Sequence, residues 1–141
     1  MAEIIQVEVS TESGSILPER QWHEEIMISK DGVTLLRNGK ILASKVNAGT
    51  WNGIVEEESL QDLFRALNSV DCTKIKRIEP ADPPDGGGTD SYILRYEDET
   101  TCSLYFDPGT SYENGDLLVN PIHNFLQVVT FPPEALNHYK E

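Results

Sequence analysis

The sequence predicts an α+β domain in which an antiparallel sheet of about five or six strands carries two helices on one face. Two observations predict this class. Short alternating segments separated by turn residues fill the first third of the chain, and two segments with helical periodicity interrupt the strands further on. The resulting order is β-β-β-β-α-β-β-α. A chain of 141 residues with no internal repeat fits one domain over 1–141.

The first strands are predicted from period-two alternation and from the turns between them. Trp22, Ile26 and Ile28 alternate with polar residues, as in a half-buried strand. Asp31-Gly32 and Asn38-Gly39 favour the positive φ angles of two-residue hairpin turns. We therefore expect a three-strand meander after the first strand. The expected strands cover 3–9, 22–28, 33–37 and 40–46.

Two amphipathic segments predict the helices. The first helix, expected near 58–70, follows Glu56–Glu58, whose charges favour a helix N-terminus. The second, expected near 120–130, has Asn120 as its predicted N-cap and Pro121 at its first position. The apolar faces comprise Leu60, Leu63, Phe64 and Leu67 in the first helix and Ile122, Phe125, Leu126 and Val129 in the second.

The second half of the sheet is predicted around a short charged turn. Residues 91–97 and 101–106 have strand character, and "DET" joins them. Residues 130–141 suggest a break followed by a short helix. The residues expected to be buried together are Leu63, Phe64, Leu67, Ile93 or Leu94, Leu104, Phe125 and Leu126.

The charge of the chain excludes several classes of partner. A formal net charge of −13 repels nucleic-acid phosphates and anionic lipid headgroups. The basic cluster of Lys74, Lys76 and Arg77 is too short to outweigh it. No stretch of 18 apolar residues is present, as a membrane span would need. We expect no nucleic-acid partner and no membrane partner.

The two cysteines are expected to be free thiols. The N-terminal residues lack the basic and apolar regions of a secretory signal, which predicts a cytoplasmic protein with reduced cysteines. Cys102 alternates with Leu104 and Phe106, a pattern that places it in the core. Cys72 and Cys102 are therefore predicted to be unpaired.

The Pro/Gly-rich stretch "EPADPPDGGGTDSY", residues 79–92, is the main candidate for a ligand loop. A phosphate loop needs a Gly-Lys-Ser/Thr ending and a following helix, whereas Thr89, Asp90 and a strand follow here. Asp82, Asp85 and Asp90 offer the oxygen ligands that calcium prefers, but their spacing is not that of an EF-hand. A solvated connector is the preferred interpretation.

No arrangement of catalytic residues emerges from the sequence. His23, His123 and His138 are far apart in the chain and share no metal-ligand spacing. No serine lies in a Gly-x-Ser-x-Gly elbow, and no histidine is placed to activate a cysteine. We therefore predict a non-catalytic protein with no cofactor, no metal ligands and no catalytic residues.

The layout from Glu24 to Val129 resembles small bacterial domains, including a related-looking group of unknown function. The marks are "DG" at 31–32, "ESLQDLFRALNSVD" at 58–71 and "DSYILRY" at 90–96. The family that we can name is the emfourins, proteinaceous inhibitors of thermolysin-type metalloproteases. The resemblance implies an inhibitor-like α+β domain. At 13–20 this chain has "SGSILPER" where the family has an Arg-Ser-Gly-Gly-Phe-like segment.

Two hypotheses for function follow. In the first, the chain binds a protein partner with a basic surface through loops at one end of its sheet, with Trp51, Tyr112 and Tyr139 as anchors. Trp51 has an alternative role as a cover for the edge of the core. In the second, the acidic loops 79–90 and 107–116 bind a small ligand or a metal ion.

Overall fold

The computed structural model describes residues 2–14, 16–82 and 87–140. The described residues form eight strands and two α-helices, with short 3-10 turns at Pro18–Arg20, Cys72–Lys74 and Pro133–Leu136. The strands are β1 Ile4–Glu12, β2 Trp22–Ser29, β3 Gly32–Gly39, β4 Gly49–Gly53, β5 Lys76–Ile78, β6 Thr89–Tyr96, β7 Thr101–Phe106 and β8 Ser111–Glu113. The helices are α1 Glu57–Asn68 and α2 Asp116–Val128.

Six strands form the main sheet in the order β4-β3-β2-β1-β6-β7, and all neighbours are antiparallel. The predicted α+β class is confirmed, and so is the order β-β-β-β-α-β-β-α for the main sheet and its helices. The remaining strands, β5 and β8, form a separate two-stranded antiparallel sheet.

The first strand of the chain lies in the middle of the sheet. β1 pairs with β2 on one side and with β6 on the other. Its register with β6 shifts between Ile4 and Gln6, which marks a bulge at Ile5. The extra residue brings Ile4 onto the same face as Val7 and Val9, and all three are buried. The apolar residues of β1 do not alternate regularly in the sequence, and the bulge allows all three to face the core.

Both helices cover one face of the main sheet. Their buried residues join the inward-facing sheet residues in a single apolar cluster. Leu94, Leu104 and Phe125 lie in it as predicted, whereas Ile93 points to the other face and Leu126 is only half-buried. The helical part of the cluster comprises Leu60, Leu63, Phe64, Leu67, Leu118, Ile122 and Phe125.

The helix α1 agrees with its prediction, and α2 begins earlier than predicted. In α1 the carboxylates of Glu57 and Glu58 lie in the first turn. The N-cap of α2 is Gly115, so the assignment of Asn120 as N-cap and Pro121 as first residue is wrong. The extra turn buries Leu118, and this burial outweighs the hydrogen bond that Pro121 cannot donate inside the helix. None of the described helices is long and apolar enough to cross a membrane.

The predicted strand over 40–46 is also wrong. β3 continues through Asn38 and Gly39, which pair with His23 and Trp22. The chain then folds back so closely that a Cβ at Gly39 would collide with the Ser44 side chain. The third strand of the meander is β4, which follows this loop and contains Trp51. The meander is confirmed, but its last strand lies later in the sequence.

The prediction of free thiols is contradicted, because Cys72 and Cys102 form a disulfide. Cys102 is buried, as its alternation indicated. The sequence pattern could not show that the turn after α1 brings Cys72 beside β7, with the two Cα atoms 6.1 Å apart. The free thiols were predicted from the cytoplasmic location, so the disulfide argues against that location, which stays a prediction.

Removing the disulfide is expected to lower the free energy of unfolding by about 2–4 kcal/mol, because the bond closes a long loop in the unfolded chain. The double variant Cys72→Ala, Cys102→Ala and the reduced native protein should show similar losses in urea unfolding. Thiol labelling of the denatured, unreduced protein should find no free sulfur. Labelling of both cysteines in that sample would contradict the bond.

Candidate functional site

Three segments meet at one end of the main sheet, and we call them the loop end: 16–21, 40–47 and 133–140. Backbone hydrogen bonds join them. Lys45 N–H donates to Glu19 O at 2.7 Å, and Asn47 N–H donates to His138 O at 2.8 Å. Lys140 N–H donates to Lys45 O at 2.8 Å. The loops are therefore fixed to one another.

The link between β1 and β2 is closed at its base. Ser13 N–H donates to Trp22 O at 3.0 Å, and Trp22 N–H donates to Ser13 Oγ at 2.9 Å. Beyond this closure, Gln21 Nε2 donates to Ile16 O at 2.8 Å. Pro18 then begins a 3-10 turn, for which its fixed φ is suited. Residues 16–21 thus have a defined shape.

Arg37 anchors the C-terminal segment to the sheet. Its side chain is 2% exposed, and Nε and Nη2 donate to Glu24 Oε1 at 3.1 and 3.0 Å. Nη2 also donates to Ala135 O at 2.7 Å, and Nη1 donates to Asn137 O at 3.0 Å. A buried guanidinium needs such partners, because an unpaired one would lose its hydration uncompensated. The C-terminal segment supplies two of them.

Aromatic and charged groups surround this anchor. His138 Nε2 lies 3.1 Å from Glu24 Oε1, and its ring stacks at a tilt on Trp22 with centroids 5.0 Å apart. Tyr139 OH donates to Arg20 O at 3.0 Å, and the Arg20 guanidinium lies 5.0 Å from the Tyr139 ring. These contacts hold the last residues against 16–21.

The ion pair of Glu12 lies beside this end of the sheet. The hydrogen bond from Lys40 Nζ, at 3.0 Å, is the main cause that lowers the pKa of the Glu12 carboxyl. Glu12 also lies 3.3 Å from His23 Nδ1. Lys40 of the loop end thus offsets the charge of Glu12 in the neighbouring strand.

The loop end exposes large aliphatic side chains although its backbone is fixed. Five of the eleven exposed large hydrophobic residues in the described chain lie on its three segments. They are Ile16, Leu17, Ile41, Leu42 and Leu136. Apolar residues exposed together in one patch are typical of a binding surface, and backbone hydrogen bonds hold the three segments that carry these five residues side by side.

The three aromatic residues predicted as anchors do not form one site. Trp51 lies on the edge strand β4, half-buried, with the Arg37 guanidinium 5.2 Å from its ring. Tyr112 lies in β8, whose sheet adjoins the opposite edge at β7. Tyr139 belongs to the loop end. The structure thus places one predicted anchor at this surface, and the covering role considered for Trp51 agrees with its burial.

Tyr112 stabilises the outer edge of β7. Its hydroxyl accepts a hydrogen bond from Tyr105 N–H at 3.0 Å, and Arg77 Nη1 donates to Tyr105 O at 2.8 Å. Both outward backbone groups of Tyr105 are therefore satisfied by side chains. The ring of Tyr112 also packs against Phe106, with centroids 5.1 Å apart.

Arg77 also forms ion pairs with one residue in each of the acidic loops 79–90 and 107–116. Arg77 binds Glu79 and also donates to Asp107 at 3.1 Å. Asp85, one of the predicted calcium ligands, lies outside the described residues. Among residues 2–14, 16–82 and 87–140, no three His, Cys, Asp or Glu side chains are grouped to hold a metal ion. Ligand binding by these loops stays a prediction.

The three histidines lie in separate environments. His23 is near Glu12 and Glu25, and His138 is near Glu24. His123 is exposed, with Nε2 2.9 Å from Tyr92 OH. Burial raises the pKa of the Tyr92 hydroxyl, so Tyr92 is neutral at pH 7.

The sequence reasoning missed both the anchor and the exposed aliphatic residues of the loop end. Arg37 lies in an alternating strand, where its position in phase with Val33 and Leu35 is an inward position. This alternation could have predicted that the Arg37 side chain is buried. Leu17 and Leu42 lie between turn residues and charges, and exposed loop aliphatics of this kind were also recognisable.

Comparison of the chain with protein-family models, with curated proteins and with solved structures gives no match. The loop end is therefore interpreted from its own residues.

Proposed function

We propose that the chain is a non-catalytic interaction domain that binds a folded protein through the loop end. The observation that carries this proposal is the set of exposed aliphatic residues on three mutually hydrogen-bonded segments. A protein that exposes such groups on a fixed backbone loses little conformational entropy when a partner covers them. Leu17, Leu42 and Leu136 would supply the apolar centre of the interface.

The size of the domain is sufficient for such an interface. A standard interface buries about 800 Å² on each partner. The chain exposes 8530 Å² in total, so the loop end and adjoining sheet would contribute roughly a tenth of its surface. Tyr139 and the half-buried Trp22 add aromatic side chains of the kind that dominate interface energies.

The charge of the chain favours a partner with a basic surface. A net charge of −13 attracts such a surface at long range and raises the association rate. This attraction weakens with salt, because the Debye length falls from about 10 Å at 0.1 M to about 3 Å at 1 M. The association rate should therefore fall as salt rises, whereas the contribution of the apolar contacts to binding should change little.

The resemblance to emfourins names one class of partner to test first, the thermolysin-type metalloproteases. In this form of the proposal, the domain blocks the protease by binding it and is not turned over. The exposed aliphatic residues would then contact the enzyme surface. If the partner is another protein, the same surface is still used.

The first experiment measures thermolysin-type peptidase activity in the presence of excess domain. The native domain is expected to inhibit, and Leu42→Asp to weaken inhibition about 30-fold, the effect of losing one interface anchor. Leu42 is fully exposed, so the change should leave folding intact. Leu117→Asp is the matched control, since Leu117 is exposed on α2 away from the loop end.

A second experiment is independent of the identity of the partner. A photo-crosslinking amino acid at position 42 should capture one protein from the native lysate, and the same amino acid at position 117 should not. Full peptidase activity at high excess of domain removes the inhibitor form of the proposal. Equal capture at 42 and 117 would overturn the loop end as the binding surface.

A further inference from the structure

The loop end is basic, although the chain as a whole is strongly acidic. Its segments 16–21, 40–47 and 133–140 contain four of the 11 Lys and Arg residues and two of the 24 Asp and Glu residues, a formal charge of +2. The rest of the chain has the other seven basic and 22 acidic residues, a formal charge of −15. The basic residues of the loop end are Arg20, Lys40, Lys45 and Lys140. Because they come from three segments, only the fold brings them together.

Two of these lysines face each other. Val46 and Tyr139 form an antiparallel bridge, and Lys140 N–H donates to Lys45 O at 2.8 Å. This register places Lys45 directly opposite Lys140. Side chains alternate between the two sides of such a ladder, so the lysines lie on the side away from buried Val46, and both are exposed. Like charges placed directly opposite each other are destabilising, so the loop end retains a repulsion that a neutral residue at either position would remove.

Neither lysine is neutralised by the part of the chain that the structure describes. Among the described lysines, only Lys30 and Lys40 form ion pairs with carboxylates. Lys45 does contact Glu19, but this contact joins Lys45 N–H to the backbone oxygen of Glu19 and leaves the ammonium group unused. Two facing ammonium groups in so acidic a chain indicate that their carboxylate partners belong to another molecule.

We propose that the partner presents an acidic segment to the loop end, with carboxylates that bind Lys45 and Lys140 and apolar side chains that cover the exposed aliphatic residues. The proposal rests on the proposed function, because it names the chemistry of the partner at the same surface. Leu42 and Leu136 lie on the same two segments as the lysines, and both are exposed. A segment that combines acidic and apolar residues therefore matches both parts of this surface.

The charge outside the loop end determines what surrounds this contact. The acidic rest of the chain attracts the basic surface expected of the partner, so basic residues of the partner lie around its acidic segment. Opposite signs at the centre and at the periphery fix the orientation of the partner, since any other orientation places like charges together. Lys40 lies at the boundary between the two regions, where it binds Glu12 at 3.0 Å.

A nuclear magnetic resonance titration of the isotope-labelled native chain tests the charge of the occupant. The probes are two peptides of the same length and the same leucine and serine content, one with glutamates and the other with lysines at matched positions. The glutamate peptide should shift the amide resonances of residues 40–47 and 133–140. The lysine peptide should shift resonances on the acidic rest of the chain instead. A loop end that does not prefer the glutamate peptide would overturn the proposal.

Neutralising the two facing lysines tests their role. The double variant Lys45→Gln, Lys140→Gln should weaken binding of the glutamate peptide about tenfold, the effect of losing two exposed ion pairs. Lys74→Gln, Lys76→Gln is the matched control, because it removes the same charge from two exposed lysines outside the loop end. It should bind like the native chain. Equal weakening by both variants would show a long-range effect of net charge and would overturn the site.

Lys45→Glu separates binding from folding. It places opposite charges across the ladder, so the midpoint of urea unfolding should rise while binding of the glutamate peptide falls. Since misfolding cannot raise the midpoint, the lost binding is then due to the charge. A lower midpoint than that of the native chain would contradict the facing of Lys45 and Lys140.

Capture from the lysate distinguishes failure of this inference from failure of the proposed function. With the photo-crosslinking amino acid at position 42, Lys45→Gln, Lys140→Gln should reduce capture of the partner about tenfold, and Lys74→Gln, Lys76→Gln should not. Unchanged or increased capture by the first double variant would overturn the acidic contact and leave the loop end as the binding surface. Equal capture at positions 42 and 117 would instead remove the loop end itself.

Discussion

Phe64→Ala is expected to reduce the free energy of unfolding by about 3–5 kcal/mol, the usual cost of deleting a buried aromatic side chain. Phe64 is 4% exposed and lies in the apolar cluster that joins α1 to the sheet and to α2. The loss combines the transfer of the ring to water with the cavity that remains. Urea unfolding at constant m-value measures it.

Leu117→Ala provides the control for this change. Leu117 is also a large apolar residue in a helix, but about half of it is exposed, so its loss should cost less than about 1 kcal/mol. A similarly small loss for Phe64→Ala would show that the apolar face of α1 does not form the core.

Arg37→Met is expected to destabilise the protein by about 3–5 kcal/mol, as the removal of one partner from a buried ion pair does. Methionine retains much of the length of the side chain but leaves Glu24 without its guanidinium partner. The carbonyl groups of Ala135 and Asn137 also lose their donors. Hydrogen exchange should therefore report a selective loosening of residues 133–140.

A double-mutant cycle separates the charge from the packing. Glu24→Gln in the Arg37→Met background removes the uncompensated carboxylate, so the double variant should be more stable than Arg37→Met alone. Arg65→Met is the control, because Arg65 pairs with Asp62 on an exposed surface and should contribute at most about 1 kcal/mol. Equal effects at positions 37 and 65 would rule out the anchoring role.

The parts of the fold that depend on local periodicity could be predicted. Leu60, Leu63, Phe64 and Leu67 have helical spacing, and the structure buries all four in α1. The segment 40–46 shows the limit of such reasoning. Its apolar residues resemble a strand, but Lys45 is held by backbone bonds to Glu19 and Lys140, and Leu42 is exposed. Bonds between residues so distant in the chain leave no local pattern.

The sequence predicted a binding surface of loops at one end of the sheet, with Trp51, Tyr112 and Tyr139 as anchors. Of these three residues only Tyr139 lies in the loop end, and binding there stays a prediction. Arg37 could not be assigned its role, because two of its acceptors are carbonyl groups, which every residue has. The disulfide escaped prediction for a related reason, since only the tertiary structure shows that Cys72 reaches β7.

The central position of β1 has a consequence for the synthesis of the protein. Of the eight described strands, β1 is synthesised first, and β2 can pair with it at once. Its other neighbour, β6, begins only at Thr89. Until the ribosome has released that strand, one side of β1 lacks its partner, and the nascent chain has an open edge of the kind that favours aggregation. Polar residues along β1, such as Glu8, Ser10 and Glu12, would oppose aggregation through this edge until β6 is available.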